Sequence, residues 1–261
     1  LRNLLLSAYP RDMRLPEPLT PNLKIDLLTD ISRSPDIPFD HAAPLEPTHL
    51  RADLESFLRT QQPNGFAARV IDGLRTGDNP SATSQTEGNQ GAARYNVVAT
   101  NALVLHAVVV ITRIEDETER EAAQRAALGL FQAILDEADP ECRYLVVNAM
   151  ANQLRFPSSH TYLYSRMILA LFSKCGEAVR ECIARVLIER ILVNRPFPWG
   201  LLVTLIELLR NPFYAFWSHE FTRVSPQIAE ILSAVAKSIH ATEAQPQAGG
   251  AAGHAHQPQS S

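Results

Sequence analysis

Cysteine and histidine are the side chains of this sequence that most readily bind metals or act as nucleophiles and bases. The 261-residue chain has eight histidines and three cysteines, Cys142, Cys175 and Cys182. None of the cysteines forms a Cys-x-x-Cys pair, and a helix boundary is expected at Gly176, between the last two. The odd number and the spacing predict buried thiols of a reducing compartment rather than disulfides or a zinc site.

The histidines do not predict a catalytic or metal site either. His106 lies in the apolar run 97–114, where a hydrogen-bonded core histidine is a better interpretation than a general base. His254 and His256 could bind a metal weakly, but they lie in a Gln/Pro/Gly/Ala-rich tail whose composition explains them. The sequence has no Gly-x-Ser-x-Gly, no phosphate-binding glycine loop and no His-Glu-x-x-His. We therefore predict no catalytic residue, no cofactor and no metal.

Four arginines recur at intervals of five residues, as a nucleic-acid-binding stripe would: Arg180, Arg185, Arg190 and Arg195. A step of five residues turns a helix by roughly 140°, so these side chains point in different directions. Glu181 and Glu189 each lie four residues from Arg185, which favours local ion pairs. With a net charge of −4 and a pI of 6.1, the sequence predicts no tight nucleic-acid binding.

The elements that would position any site are predicted to be helices. Asp139 and Pro140 are typical of a capped helix start with proline at its first position. Thr118 to Glu121 matches a capping box, and Thr48 is expected to cap an earlier helix. Further helices are predicted at 159–174, 177–194 and 198–210. The β-branched run 108–112 could form a strand, but it lies inside a longer helical pattern. The polar residues of that pattern also argue against a membrane span.

These helices, joined by short turns, predict an all-α fold of stacked antiparallel pairs, a HEAT-like α-solenoid. The sequence around Arg94 and Tyr95 is echoed around Arg143 and Tyr144, close to the roughly 40–47 residue period of such repeats. One helical scaffold domain is predicted over 1–243, with flexible loops near 33–47 and 76–92. The tail 244–261 is predicted to be disordered.

Two sets of residues favour protein interaction as well as packing. The first is a proline-stiffened stretch, expected either to lie along the scaffold or to contact a partner: Leu15, Pro16, Pro18, Pro21 and Leu23. The second is an aromatic cluster that either fills the core between repeats or anchors a partner: Trp199, Phe216, Trp217 and Phe221. The sequence leaves both alternatives open.

Three phrases of the sequence carry a resemblance to a known family: LPEPLTPNLK (15–24), NAMANQLRFPSSHT (148–161) and VNRPFPWGLLVTLIELLRNP (193–212). They closely resemble the C-terminal homology domain of the large scaffold subunit of the CCR-NOT deadenylase complex. The resemblance spans residues 1–240 and corresponds to the second half of that domain. The loops at 33–47 and 76–92 and the tail depart from the family pattern.

The resemblance implies a non-catalytic HEAT-like domain that docks the Not-box subunits of the complex. Further implied partners are a ubiquitin-ligase subunit and RNA-binding adaptor proteins that use short peptide motifs. Through them the chain would support mRNA deadenylation and decay, translational repression and transcription regulation, in the cytoplasm and its mRNA-decay foci and in the nucleus. The alternative function is a helical RNA-binding module of the translation machinery, which would need a coherent basic face. An enzyme comes third.

Overall fold

The computed structural model describes residues 36–76, 94–194 and 198–223, and eight α-helices lie within these ranges. They are α1 (Leu50–Thr60), α2 (Phe66–Leu74), α3 (Val97–Thr112), α4 (Glu117–Glu137), α5 (Pro140–Asn152), α6 (Ser159–Lys174), α7 (Glu177–Val193) and α8 (Trp199–Arg210). Short 3-10 helices lie at Ala43–Leu45, Pro212–Tyr214, Phe216–Ser218 and Glu220–Thr222. The chain divides into two compact units, Leu1–Tyr214 and Ala215–Ser261, and all eight α-helices belong to the first.

Short polar side chains start four of these helices. Each accepts a hydrogen bond from the backbone N–H three residues later, which satisfies one of the free amides of the first turn. The four caps are Asn96, Asp116, Asp139 and Ser158. The prediction of a capped start at Asp139 with proline in the first turn is confirmed.

Two predicted helix starts were wrong in detail. α4 begins at Glu117, before the predicted capping box, because the Asp116 carboxylate accepts the Glu119 N–H at 2.8 Å. Thr118 donates its hydroxyl to the same carboxylate instead of capping the helix. Thr48 is not the cap of α1, because its hydroxyl donates to the Leu45 carbonyl of the preceding 3-10 turn.

The eight helices form two layers. Helices α1, α3, α5 and α7 pack side by side in one layer, and α2, α4, α6 and α8 pack in the other. Most consecutive helices also pack across the layers, so the repeating unit is a helical pair, as predicted for an α-solenoid. Within the described ranges, the β-type pairing is one isolated bridge between Arg75 and Tyr95, and the β-branched run 108–112 is helical.

Helix α3 explains the apolar run of the sequence. It contacts α1 and α5 in its own layer and α4 and α6 in the other, so most of its side chains are buried. The buried Tyr164 of α6 donates its hydroxyl to the Val104 carbonyl and ties the layers together. Among the described helices, none is long and apolar enough to cross a membrane.

Arginine at the fourth position of three helices closes the preceding junction. Arg143 of α5 donates to the Leu135 and Ala138 carbonyls at 2.9 and 3.0 Å. Arg180 of α7 likewise donates to the Phe172 and Ser173 carbonyls in the last turn of α6. Arg120 of α4 donates to the Ile114 and Glu115 carbonyls in the connection between α3 and α4. The C-terminal carbonyls of a helix lack partners within the helix, so Arg143 and Arg180 satisfy groups that would otherwise need water.

The sequence echo between residues 94–98 and 143–147 corresponds to a repeated contact between neighbouring pairs. Tyr95 donates its hydroxyl to Asp139, and Tyr144 donates its hydroxyl to Glu189, each at 2.9 Å. Arg94 lies 3.1 Å from the Asp139 carboxylate. One side chain, Asp139, therefore caps α5 and also joins it to the segment that precedes α3.

Replacement of Asp139 tests this junction. We expect Asp139→Ala to lower the free energy of unfolding by about 2 kcal/mol, about 1 from the lost cap and about 1 from the stranded Tyr95 hydroxyl. Asp139→Asn keeps the cap and should cost about half as much. The backbone N–H of Cys142 is the main cause of a lowered Asp139 pKa, so this stabilisation is present above the pKa of an unfolded aspartate and is lost as pH falls through the folded value. Urea denaturation of both variants measures the difference, and equal losses would contradict the capping role.

Candidate docking surfaces

The structure places the predicted interaction residues in three different situations. Leu15, Pro16, Pro18, Pro21 and Leu23 lie outside the described residues. Trp199 is the first residue of α8, and 64% of its surface is exposed. Phe216, Trp217 and Phe221 belong to the second compact unit.

The end of α7 and the start of α8, which follow each other along the chain, expose apolar side chains besides Trp199. Leu192 and Val193 of α7 and Val203 of α8 are exposed, and α7 packs against α8. We refer to Leu192, Val193, Trp199 and Val203 as the α7–α8 apolar patch. Trp is enriched among residues that anchor protein partners, because one side chain removes a large apolar area from water.

In the second unit, the aromatic residues divide into buried and exposed ones. Phe216 is buried and contacts the rings of Trp217 and Phe221 at centroid distances of 5.4 and 5.6 Å. Phe221 is also buried and stacks on His219. Trp217 is 42% exposed. Local sequence could not separate these roles, because Phe216, Trp217 and Phe221 lie close together along the chain, shortly after the end of α8.

The arginines of α7 do not form a continuous basic stripe. Arg180 caps α6, and Arg185 pairs with Glu189 at 2.8 Å, as the spacing predicted. Arg190 donates to the Asn148 side chain of α5. Arg195 lies outside the described residues.

A cleft that the sequence did not predict lies between the 36–49 segment, α1, α3 and α4. Its volume is about 1090 Å³, and Leu58, Val110 and Ala123 contribute to its apolar wall. Within it, His106 is buried as predicted, and its Nε2 lies 2.9 Å from Glu55. The other ring nitrogen of His106 lies 3.2 Å from Nε2 of His41. The apolar run predicted the burial of His106, but nothing in the sequence indicated its two partners.

Charged and apolar side chains line the cleft around His106. The described residues that line it include no serine, threonine or cysteine that His106 could activate. Burial lowers the pKa of His106, although the hydrogen bond from its ring to Glu55 acts in the opposite direction. Nor do the described residues contain a group of three or more His, Cys, Asp or Glu side chains suited to a metal ion.

All three cysteines have free thiols, and the prediction that they are buried holds for two of them. Cys142 and Cys175 are buried, and Cys182 is partly exposed. Burial raises the pKa of each thiol to about 11. Thiols with such pKa values are almost entirely protonated at neutral pH and are poor nucleophiles.

Comparison with known proteins gives the chain a family. A family model described as CCR4-Not complex component, Not1, matches residues 1–236. The chain is 36% identical over 256 residues to the CCR4-NOT transcription complex subunit let-711 of Caenorhabditis elegans, covering 95% of the chain and 9% of that protein. It is 32% identical over 250 residues to the general negative regulator of transcription subunit 1 of Schizosaccharomyces pombe, covering 92% and 11%. The chain therefore spans only a small part of either relative.

Solved structures agree with the fold. The NOT1 superfamily homology domain of Chaetomium thermophilum matches with a TM-score of 0.61 and 29% identity, over 90% of this chain and 47% of that one. A Not1 C-terminal domain in complex with Not4 matches with a TM-score of 0.58 over 89% of this chain and 46% of that one; at 23% identity it supports the fold alone. The two-layer helical repeat, and the family model that matches most of its length, identify the chain as a member of the Not1 family of CCR4-Not complex components.

Proposed function

We propose that this chain is a non-catalytic docking domain of a CCR4-Not scaffold subunit. The observation that carries the proposal is the α7–α8 apolar patch, in which an exposed Trp199 is held on a two-layer helical scaffold. Membership of the Not1 family supports it, as does a solved Not1 C-terminal domain of the same fold that is in complex with Not4. A surface that exposes several large apolar side chains at one place gains free energy when a partner covers it.

The partners that we propose are the Not-box subunits of the complex. A ubiquitin-ligase subunit and RNA-binding adaptors with short peptide motifs are further proposed partners. Through these contacts the chain would support mRNA deadenylation and decay, translational repression and transcription regulation, in the cytoplasm, its mRNA-decay foci and the nucleus. The RNA-binding alternative is not favoured, because Arg180, Arg185 and Arg190 are engaged within the described structure.

The proline-stiffened residues Leu15, Pro16, Pro18, Pro21 and Leu23 form a second proposed contact. Proline restricts the unbound chain, so less conformational entropy is lost when the segment is ordered against a partner. Replacement of this set by alanine, followed by pull-down and thermal denaturation, distinguishes the two alternatives. Lost binding at an unchanged melting temperature indicates a partner contact, and a lowered melting temperature indicates packing against the scaffold.

We expect Trp199→Ala to weaken binding of the docked subunit by about 30-fold, about 2 kcal/mol, which is typical of a tryptophan anchor. The melting temperature should remain close to that of the wild type, because Trp199 is mostly exposed. Co-purification of the chain with candidate Not-box subunits identifies the partner, and titration calorimetry then measures its affinity.

Two matched variants complete this experiment. Tyr162→Ala removes another exposed aromatic side chain, on α6, and should leave binding by the patch unchanged. Phe216→Ala removes a buried ring and should lower the melting temperature. Binding that is unaffected by Trp199→Ala would exclude the patch, and failure of every candidate subunit to co-purify would contradict the docking function.

A further inference from the structure

Three side chains far apart in the sequence form one hydrogen-bonded chain at the edge of the cleft. Nδ1 of His41 lies 3.0 Å from the Pro38 carbonyl oxygen, and its Nε2 lies 3.2 Å from Nδ1 of His106. Nε2 of His106 lies 2.9 Å from Glu55 of α1. The chain of bonds therefore connects the 36–49 segment to α3 and α1.

The hydrogen-bond chemistry fixes the number of protons that this group must hold. The Pro38 carbonyl only accepts, so Nδ1 of His41 must carry a proton to bond with it. A second proton must lie between the two rings, and a third between His106 and the Glu55 carboxylate. Two neutral imidazoles supply only two protons. All three bonds can therefore form together only when the group takes up one additional proton.

The two rings are not equally suited to carry the charge. His106 is 3% exposed, and burial lowers its pKa, so the neutral form of this ring is favoured. His41 is only half-buried. With His106 neutral, the three bonds can form together only if His41 donates to both Pro38 and His106, while His106 donates to Glu55.

The charges that face the histidine pair favour this uptake. Six carboxylates line the described part of the cleft: Asp40, Glu46, Glu55, Glu115, Asp116 and Glu119. Three guanidiniums line it as well, from Arg51, Arg59 and Arg113. Arg51 is engaged with Glu46 at 2.8 Å and with Glu55 at 3.5 Å. An excess of carboxylates stabilises a positive charge on the pair.

We propose that His41, His106 and Glu55 form a proton-dependent latch that fastens the 36–49 segment to α1 and α3 and so fixes one wall of the cleft. The closed latch binds more protons than the open one. It is therefore closed at mildly acidic pH and loosens as pH rises through the titration range of histidine. The latch is argued from the hydrogen-bond geometry and the burial of His106, and it does not depend on the proposed docking function.

Hydrogen exchange of the whole chain, measured by mass spectrometry between pH 5.5 and 8.5, tests the latch. The backbone amides of His41, Ala43 and Leu45 donate to carbonyls three residues earlier and report on the segment. After correction for intrinsic exchange rates, we expect their protection to fall by about tenfold across this range, as one linked proton allows. Protection that does not change with pH would overturn the proposal.

Glu55→Gln makes the test specific. A glutamine amide can donate to Nε2 of His106, so this ring keeps its proton on Nδ1 and donates to His41, which donates to Pro38. The three bonds then close with two neutral rings, and the segment should stay protected at every pH. His41→Ala should leave it weakly protected at every pH. Glu119→Gln removes a cleft carboxylate outside the chain of bonds, so protection should still fall as pH rises, with a midpoint at slightly lower pH.

A Glu55→Gln variant that retains the wild-type pH dependence would refute the proton count. No partner takes part in this measurement, so its failure would leave the docking function standing. Failure of the subunit co-purification would in turn leave the latch standing.

Discussion

Gly200→Ala is expected to lower the free energy of unfolding by about 3 kcal/mol, because α8 has no room for a methyl group at this position. A Cβ on Gly200 would lie 2.5 Å from the Leu154 carbonyl oxygen and 2.5 Å from the Thr161 methyl carbon. Since one of these atoms is backbone, relief requires α8 to move away from the α5–α6 connection. That movement would also disturb the 2.8 Å hydrogen bond between Thr204 and Ser165. Urea denaturation measures the loss.

Gly129→Ala is the matched control. Gly129 lies in the interior of α4, and a Cβ there would have no heavy atom within 4 Å. Alanine is a better helix former than glycine, so this variant should gain about 0.5–1 kcal/mol. Wild-type stability in Gly200→Ala would mean that α8 does not approach Leu154 as closely as described.

The cysteines of the folded chain are expected to react with iodoacetamide at pH 8 at least 20-fold more slowly than an unfolded cysteine does. With a pKa of about 11, each thiol has roughly 200-fold less thiolate at pH 8 than a free cysteine. The higher intrinsic nucleophilicity of a high-pKa thiolate recovers about tenfold of this difference. The net decrease in reaction rate, about 20-fold, is the value expected for the partly exposed Cys182.

Cys142 and Cys175 should react more slowly still, because both are buried and the reagent must wait for local opening. The rate at Cys182 should rise about tenfold per pH unit up to about pH 10. Mass spectrometry of the alkylated peptides follows each residue, and the chain in urea serves as the reference. Rapid labelling of Cys182 at pH 7, without a rise at higher pH, would contradict a raised pKa.

Local signals in the sequence predicted most of the helices. Proline at position 140, the aspartate before it and the apolar periodicity of the following residues act within a few residues of one another, so no tertiary information is needed. Where two caps compete, local reasoning failed. Asp116 starts α4 ahead of Thr118, since its carboxylate accepts both a backbone N–H and the threonine hydroxyl.

The arrangement of residues in the cleft and on the apolar patch depends on how the helices pack, which the local sequence does not show. His41 and Glu55 lie 65 and 51 residues from His106, and they meet only because α1 and α3 are neighbours in one layer. Trp199 and Phe216 have similar local surroundings in the sequence, yet one is exposed and the other buried. The positions of these side chains follow from which helices stack, and a single sequence shows that only weakly.

The two-layer order of the eight helices has a consequence for how the chain folds during its synthesis. Each helix packs mainly against helices no more than three places away along the chain. A pair that leaves the ribosome therefore finds the surface it needs already assembled by the preceding pair. The helical pairs can therefore fold one after another as the chain is synthesised. A force applied to one end would likewise detach the pairs one at a time instead of unfolding all of them at once.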